Sequence, residues 1–451
     1  MIMKINYKKI VFFAAIAIAV SACTKELNTK PTQQIDQAVA LQTGNDVQVA
    51  LIGAYTDLGN TNFISGQTAV DADLLGDLNE ITWSGTFAGL TQMKNKTITI
   101  DNTFSTNAWL AGYKAINDVN NVLSAISVVA AKDTARVSGE AKFIRAVSYF
   151  ELVKLFGKSW KDGDPAANPG VPIVLTPTRG ITIENQVKRN AVTETYQQII
   201  SDLQDAESKL GNTNGFLATK TAASAMLSRV YLQKGDYANA AQATNRAITN
   251  STANGGALLA NFSDVFVMVN TAEDIFAIQV TATTGVNNLN TFYSVAGGRG
   301  DAQVTPNHLA LYEAGDSRKA FFSVSGGSTY TSKFNIRFGN IHFIRLAEMY
   351  LIRAESNFRS GTSIGDVAVN DLNKIRARAK LAPLAAADLT LDNIIKDRKL
   401  ELAFEGFTLH DIKRLQLPVG TLAWNAPSLV FPIPKRELVV NANLVQNDGY
   451  K

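Results

Sequence analysis

Cysteine is almost absent from this chain: Cys23 is the only one in 451 residues. A single thiol excludes an internal disulfide framework and any cysteine-built metal centre. Histidine is nearly as scarce. His308, His342 and His410 lie far apart and match no metal-ligand spacing, so each reads as a packing or surface residue. An excess of one charge is also missing. There are 43 Lys and Arg against 39 Asp and Glu, and three of the lysines (Lys4, Lys8, Lys9) fall in the first 22 residues. Setting those three aside leaves 40 against 39, a balance that gives nucleic acid no electrostatic hold. Apolar runs are short: Ile10 to Val20 is 11 residues, below the ~20 that a membrane span needs. Phosphate cradles are lacking too. Gly297-Gly298-Arg299-Gly300 has neither the spacing nor the Lys-Ser/Thr ending of one. No cofactor is expected.

The amino terminus carries a pattern of its own. A basic start precedes the Ile10–Val20 run, and Val20-Ser21-Ala22-Cys23 follows it. This resembles a bacterial lipoprotein signal, in which small residues precede a Cys that is acylated after cleavage. The expectation is a signal peptide over 1–22 and a palmitoylated Cys23 that anchors the chain to a membrane through lipid alone. A polar tether over 23–42, containing Pro31, would hold the folded body off the surface.

Most of the remainder has helical periodicity. Val137 to Gly157 carries Phe143, Ala146, Val147, Phe150 and Val153 on one stripe. Gly157 is placed to end the helix in a left-handed conformation. Its centre, Ala146-x2-Tyr149, recurs as Ser228-x2-Tyr231 and Ala347-x2-Tyr350. A small residue admits a neighbouring helix, and the Tyr one turn later fills the groove beside it. Thr219 to Asn250 follows the tetratricopeptide pattern, with a turn at Gly235-Asp236-Tyr237 between two helices. Further helices are expected at 45–58, 107–128, 193–210, 340–359, 364–380 and 391–404. The fold class is therefore mainly α, built of helix-pair repeats, about four of them, with a loop-rich region that contains short strands and a hairpin. Ile275–Val280 reads as a strand, and 321–324 with 329–334 as the hairpin around Ser325-Gly326-Gly327-Ser328. The last 20 residues, with Pro432 and Pro434, read as extended. The body divides in sequence into 43–260, mostly repeats, and 261–451, which holds the variable loops.

Two loops carry the binding candidates. The stretch 59–106 is rich in Gly, Asn and Thr and is long enough to suggest function. Sugar rings stack their C–H faces on aromatic side chains, and amide, carboxylate and guanidinium groups take the hydroxyls; peptides use similar contacts. Asp71, Asp73, Asn79 and Trp83 on the first loop, with Phe292, Tyr293 and Arg299 on the second, fit that description. Asp71 and Asp73 alone make a poor cation site, since further oxygen ligands are lacking. Trp109 shares a helix face with Tyr113 and Ile116 and reads as core.

Five ordered motifs then match one family. They are Gly139-Glu140-Ala141-Lys142-Phe143-Ile144-Arg145-Ala146, the run Leu346–Glu355, the run Leu372–Ala379, Arg398–Gly406, and Phe431-Pro432-Ile433-Pro434-Lys435-Arg436-Glu437 with Asn447-Asp448-Gly449-Tyr450. With them the chain resembles the SusD/RagB family of outer-membrane nutrient-binding lipoproteins. It departs from the family pattern at Phe407-Thr408-Leu409-His410, where Arg and Trp are usual, and at Asp397, where Glu is usual. The resemblance implies four tetratricopeptide-like pairs and no enzyme activity. It also implies an oligosaccharide or peptide ligand, a SusC-like TonB-dependent outer-membrane transporter as partner, and exposure at the cell exterior. Two other readings are open. Glu401 and Glu405 share a helix face and could serve a surface glycoside hydrolase, or form a structural charge cluster with Arg398. A helical-repeat scaffold that binds only proteins is the second.

Overall fold

Thr43 starts the first helix. Its hydroxyl accepts from the Asp46 amide, and the Asp46 carboxylate accepts from the Thr43 N–H at 2.8 Å, which closes a capping box. The computed structural model describes residues 40–180 and 182–450. The expected signal peptide, Cys23 and most of the tether lie outside the described residues. From Thr43 onward the chain forms one compact unit.

Helix α1 (Gly44–Leu58) is followed by α2 (Gln67–Leu75), strand β1 (Ile81–Trp83) and α3 (Ala88–Asn95). Next come α4 (Thr103–Ser124), α5 (Ala131–Phe156), α6 (Val192–Lys209), α7 (Lys220–Lys234) and α8 (Tyr237–Ala253). A mixed stretch holds α9 (Asp264–Val267), β2 (Asp274–Ile278), α10 (Asn288–Tyr293), β3 (Ala302–Val304), α11 (Pro306–Leu309), β4 (Phe322–Ser325), β5 (Ser328–Thr331) and β6 (Ile341–Arg345). The chain ends with α12 (Leu346–Ser360), α13 (Ala368–Arg378), α14 (Leu391–Glu401), α15 (Thr408–Leu415) and α16 (Lys435–Val440).

Eight of these helices form a ribbon. In the order α1, α4, α5, α6, α7, α8, α12, α13, each packs on the next. They make four helix pairs, the tetratricopeptide-like stack expected from the repeats. Ala146, Ser228 and Ala347 sit on the leading helices of the second, third and fourth pairs. Charged side chains also lock the pairs. Arg145 of α5 grips Asp202 of α6 through Nε and Nη2, both at 2.8 Å. Arg353 of α12 grips Asp371 of α13 in the same two-pronged way, and Arg229 of α7 reaches Glu348 of α12. All six residues are buried. Such charges persist in a core only when paired and hydrogen-bonded. Tyr149, also buried, donates its hydroxyl to the Val174 carbonyl at 2.8 Å and accepts from the Val174 N–H at 2.7 Å. It thereby staples the proline-rich crossing to α5.

Several elements depart from expectation. Gly157 is extended (φ −102°, ψ 159°), not left-handed. Glycine serves there for close approach, since a Cβ would stand 2.8 Å from the Val153 carbonyl oxygen. The stretch 59–106 is not one loop, because α2, β1 and α3 occupy it. Residues 341–345 form β6 rather than the start of a helix; Ile341 and Ile344 pair with β2. Helix α13 begins at Ala368, not Ile364. Lys435–Val440 is a short helix within the tail expected to be extended.

The first pair and the third-to-fourth junction are interrupted by long insertions, and these insertions meet. One sheet has the order β1-β3-β5-β4, all antiparallel, with Trp83 opposite Ala302 and Thr82 opposite Gln303. Its first strand comes from the early insertion and the other three from the late one. Gly326 and Gly327, at φ 56° and 79°, make the two-residue turn between β4 and β5. Strands β2 and β6 form a second, two-stranded sheet. Helix α2 packs on α10 and α15 beside this joint.

Candidate functional site

Strand β1 ends on Trp83, which is half-buried. Its indole N–H donates to Thr91 Oγ1 on α3 at 3.1 Å, which fixes the ring's rotation. The ring lies against Gly85, where a Cβ would be only 2.4 Å from Trp83 Cζ2. Phe292 of α10 stands 5.6 Å away, centroid to centroid. Phe87 lies 5.7 Å from Phe292 and 5.8 Å from Phe104, edge-on to both. Such tilted contacts suit ring quadrupoles. The Arg299 guanidinium sits over Phe87 at 4.9 Å, and its Nε donates to Asp301 Oδ2 at 2.6 Å. Phe87 is 40% exposed, and Arg299 is exposed as well. The cluster is a rigid aromatic platform with one guanidinium at its rim.

Of the seven residues predicted from sequence, Trp83, Phe292 and Arg299 come together here. Asp71, Asp73 and Tyr293 do not reach the surface, each being no more than 1% exposed. The two aspartates lie on α2, not on a loop. The Tyr293 hydroxyl donates to Asp73 Oδ2 at 3.1 Å, and Asp73 also accepts from the Gly406 N–H and the Thr408 hydroxyl. This Asp73 node pins α10 and the start of α15 to α2 from behind. Burial pushes its carboxyl up to about 7. Asp71 accepts from Gln67 Nε2, and burial raises its carboxyl well above the usual range. Phe292 is 3% exposed and acts as the floor under Trp83. Asn79, exposed at the far end of β1, offers its carbonyl to Thr305 Oγ1 at 2.8 Å. Phe87 and Phe104 complete the platform. The signal for Phe87 was its place four residues after Trp83; Phe104 gave none, because its ring contacts follow from how α4 packs.

Glu401 and Glu405 occupy a different setting. Arg345 bonds both, Arg378 bonds Glu401, and Lys333 bonds Glu405. Arg398 belongs elsewhere, on Asp411. Burial alone would push the Glu401 carboxyl up, but Arg378, Arg345 and Arg318 outweigh it and hold it at about 2. Burial is likewise outweighed at Glu405, by Arg345 and Lys333. Glycoside cleavage needs one carboxyl raised enough to donate a proton, and neither of these is. A cleft beside them is lined by Lys154, Arg229, Phe343, Glu405 and Phe407 among others.

Trp109 is 3% exposed and packs on Phe156, as expected of a core residue. His308 and His410 are buried, and His342 is bonded to Asp274. Among the described residues, no group of three or more His, Cys, Asp or Glu could hold a metal ion. Among the same residues, no helix is long and apolar enough to cross a membrane.

Comparisons bear on this geometry. Residues 27–232 match a family model described as "Starch-binding associating with outer membrane", and residues 318–426 match one described as "SusD family". SusD-like protein P2 of Formosa agariphila is 27% identical over 97% of this chain and 99% of its own length. The starch-binding protein SusD of Bacteroides thetaiotaomicron is 33% identical over 25% of this chain and 22% of its own. A solved SusD superfamily protein from Bacteroides thetaiotaomicron superposes with a TM-score of 0.82 at 25% identity, covering 90% of this chain and 99% of that one.

Proposed function

Since the chain belongs to the SusD/RagB family, we propose that it captures oligosaccharide at the outer membrane and performs no covalent chemistry. The observation that carries this reading is the Trp83–Phe87–Phe292 platform with Arg299 at its rim. A sugar ring has an apolar C–H face and a rim of hydroxyls; the half-buried indole supports the first and the guanidinium serves the second. Oligosaccharide is preferred over peptide because related proteins are named for starch and for SusD. The partner would be a SusC-like TonB-dependent transporter, with this chain held near it by an acylated Cys23 on the cell exterior. Modest affinity would suffice there, because the anchor keeps the chain at high local concentration beside its partner.

Calorimetry with the glycan that wild type binds best tests the site. Trp83→Ala should weaken binding by about tenfold or more, as expected for an aromatic anchor. Unchanged affinity would remove the assignment.

A further inference from the structure

A row of neutral polar side chains leaves the aromatic platform and crosses the four-stranded sheet. It begins at the backbone carbonyl of Asp301, whose carboxylate holds Arg299. The Asp301 carbonyl accepts from the Ser84 hydroxyl at 3.2 Å. Ser84 Oγ accepts from Gln303 Nε2 at 3.3 Å, and Gln303 Oε1 accepts from the Ser328 hydroxyl at 3.0 Å. Every bond points the same way, from the hairpin toward the platform. Ser84 flanks β1, Gln303 is on β3 and Ser328 is on β5, so the row spans about two strand spacings, roughly 10 Å. Thr82, opposite Gln303, is exposed on the same face.

The inventory of this row is specific. Gln303 has one amide N–H left over, and Ser328 Oγ still has acceptor capacity. No ionised side chain interrupts it between Ser84 and Ser328. Hydroxyl groups both donate and accept, and suit alternating open donors and acceptors; a carboxylate or sulfate would meet an acceptor at Ser328, and the guanidinium at the platform end, Arg299, is already paired with Asp301. A row of this length also exceeds one sugar ring seated on Trp83.

We propose that the bound glycan is a neutral chain whose units beyond the platform run over this sheet face, and that Gln303 sets the preference for longer chains. This rests on the oligosaccharide reading above. The ligand's first unit is held by stacking and later units by hydrogen bonds to Gln303 and Ser328.

The test is binding of the full-length protein to an array of neutral and anionic oligosaccharides graded from two to eight units, repeated with Gln303→Ala, Ser328→Ala and Trp83→Ala. Wild type should bind neutral chains more tightly as they lengthen. Gln303→Ala should cut affinity for the long chains by about fivefold, one hydrogen bond's worth, and leave the shortest binder unchanged. Ser328→Ala should act in the same direction, and Trp83→Ala should weaken every length alike. The circular dichroism spectrum of each variant establishes that the sheet is intact. A length preference unaffected by Gln303→Ala and Ser328→Ala, or tighter binding of anionic chains, overturns this inference and leaves the platform standing. Undiminished binding in Trp83→Ala removes the platform and the inference with it, and no glycan bound by wild type overturns the oligosaccharide reading as well.

Discussion

At the scale of single residues, Gly85 decides whether Trp83 can lie flat. The built Cβ position overlaps the indole at Cζ2 and lies 2.9 Å from the Asp301 carboxyl carbon. Gly85→Ala should therefore rotate the indole off its seat and break its bond to Thr91. The expected outcome is a weakening of glycan binding similar to that of Trp83→Ala, with a melting temperature within a few degrees of wild type; calorimetry and thermal melts check both. The same scale explains which site residues were legible. Residue type alone singled out Trp83, Phe292 and Arg299, since aromatic and guanidinium groups suit a sugar in any fold. It also drew in Asp71, Asp73 and Tyr293, whose chemistry is equally suitable but whose burial only packing determines. Asp73 and Tyr293 turned out to serve each other.

At the scale of elements, the long helices were legible because each leaves one stripe apolar and the rest wet. Helix α2 was not, since all of its residues but Ala69 are buried, and a helix covered on every side has no stripe to read. Strand β6 was hidden for a related reason: its apolar residues run directly into those of α12, and periodicity changes without a turn residue between. Packing between elements yields its own prediction. Tyr149 is the one hydroxyl that both donates to and accepts from Val174, so Tyr149→Phe unseats that part of the crossing while the ring still fills its groove. A stability loss of about 1–2 kcal/mol is expected from urea unfolding. Faster amide exchange should be confined to the residues around Val174.

At the scale of the whole molecule, two buried carboxyls make stability depend on pH with opposite sign. Asp73 titrates near 7 in the folded protein against an ordinary 3.8. As pH rises between those values the unfolded chain ionises first, and stability declines until the folded protein follows. Asp73→Asn lacks that decline, so its melting temperature relative to wild type should be higher at pH 8 than at pH 5. Glu401 behaves in reverse. Held at about 2 against an ordinary 4.5, it contributes stability above 4.5 that disappears as pH falls through 2. Glu401→Gln should be strongly destabilised at pH 6, and its deficit against wild type should shrink toward pH 2. Melts across the pH series distinguish the two carboxyls, because with rising pH Asp73→Asn gains on wild type while Glu401→Gln falls behind it.

The sheet with strand order β1-β3-β5-β4 draws one strand from the early insertion and three from the late one. Neither segment can drift alone. A change that alters the pairing edge of Ile81–Trp83 must be matched some two hundred residues away at Ala302–Val304, or the platform loses its floor. The helical ribbon is under no such obligation to either. With the proposed site at this joint, ligand preference would be inherited as a matched pair of cassettes, and re-engineering it would call for transplanting both together onto an unchanged frame.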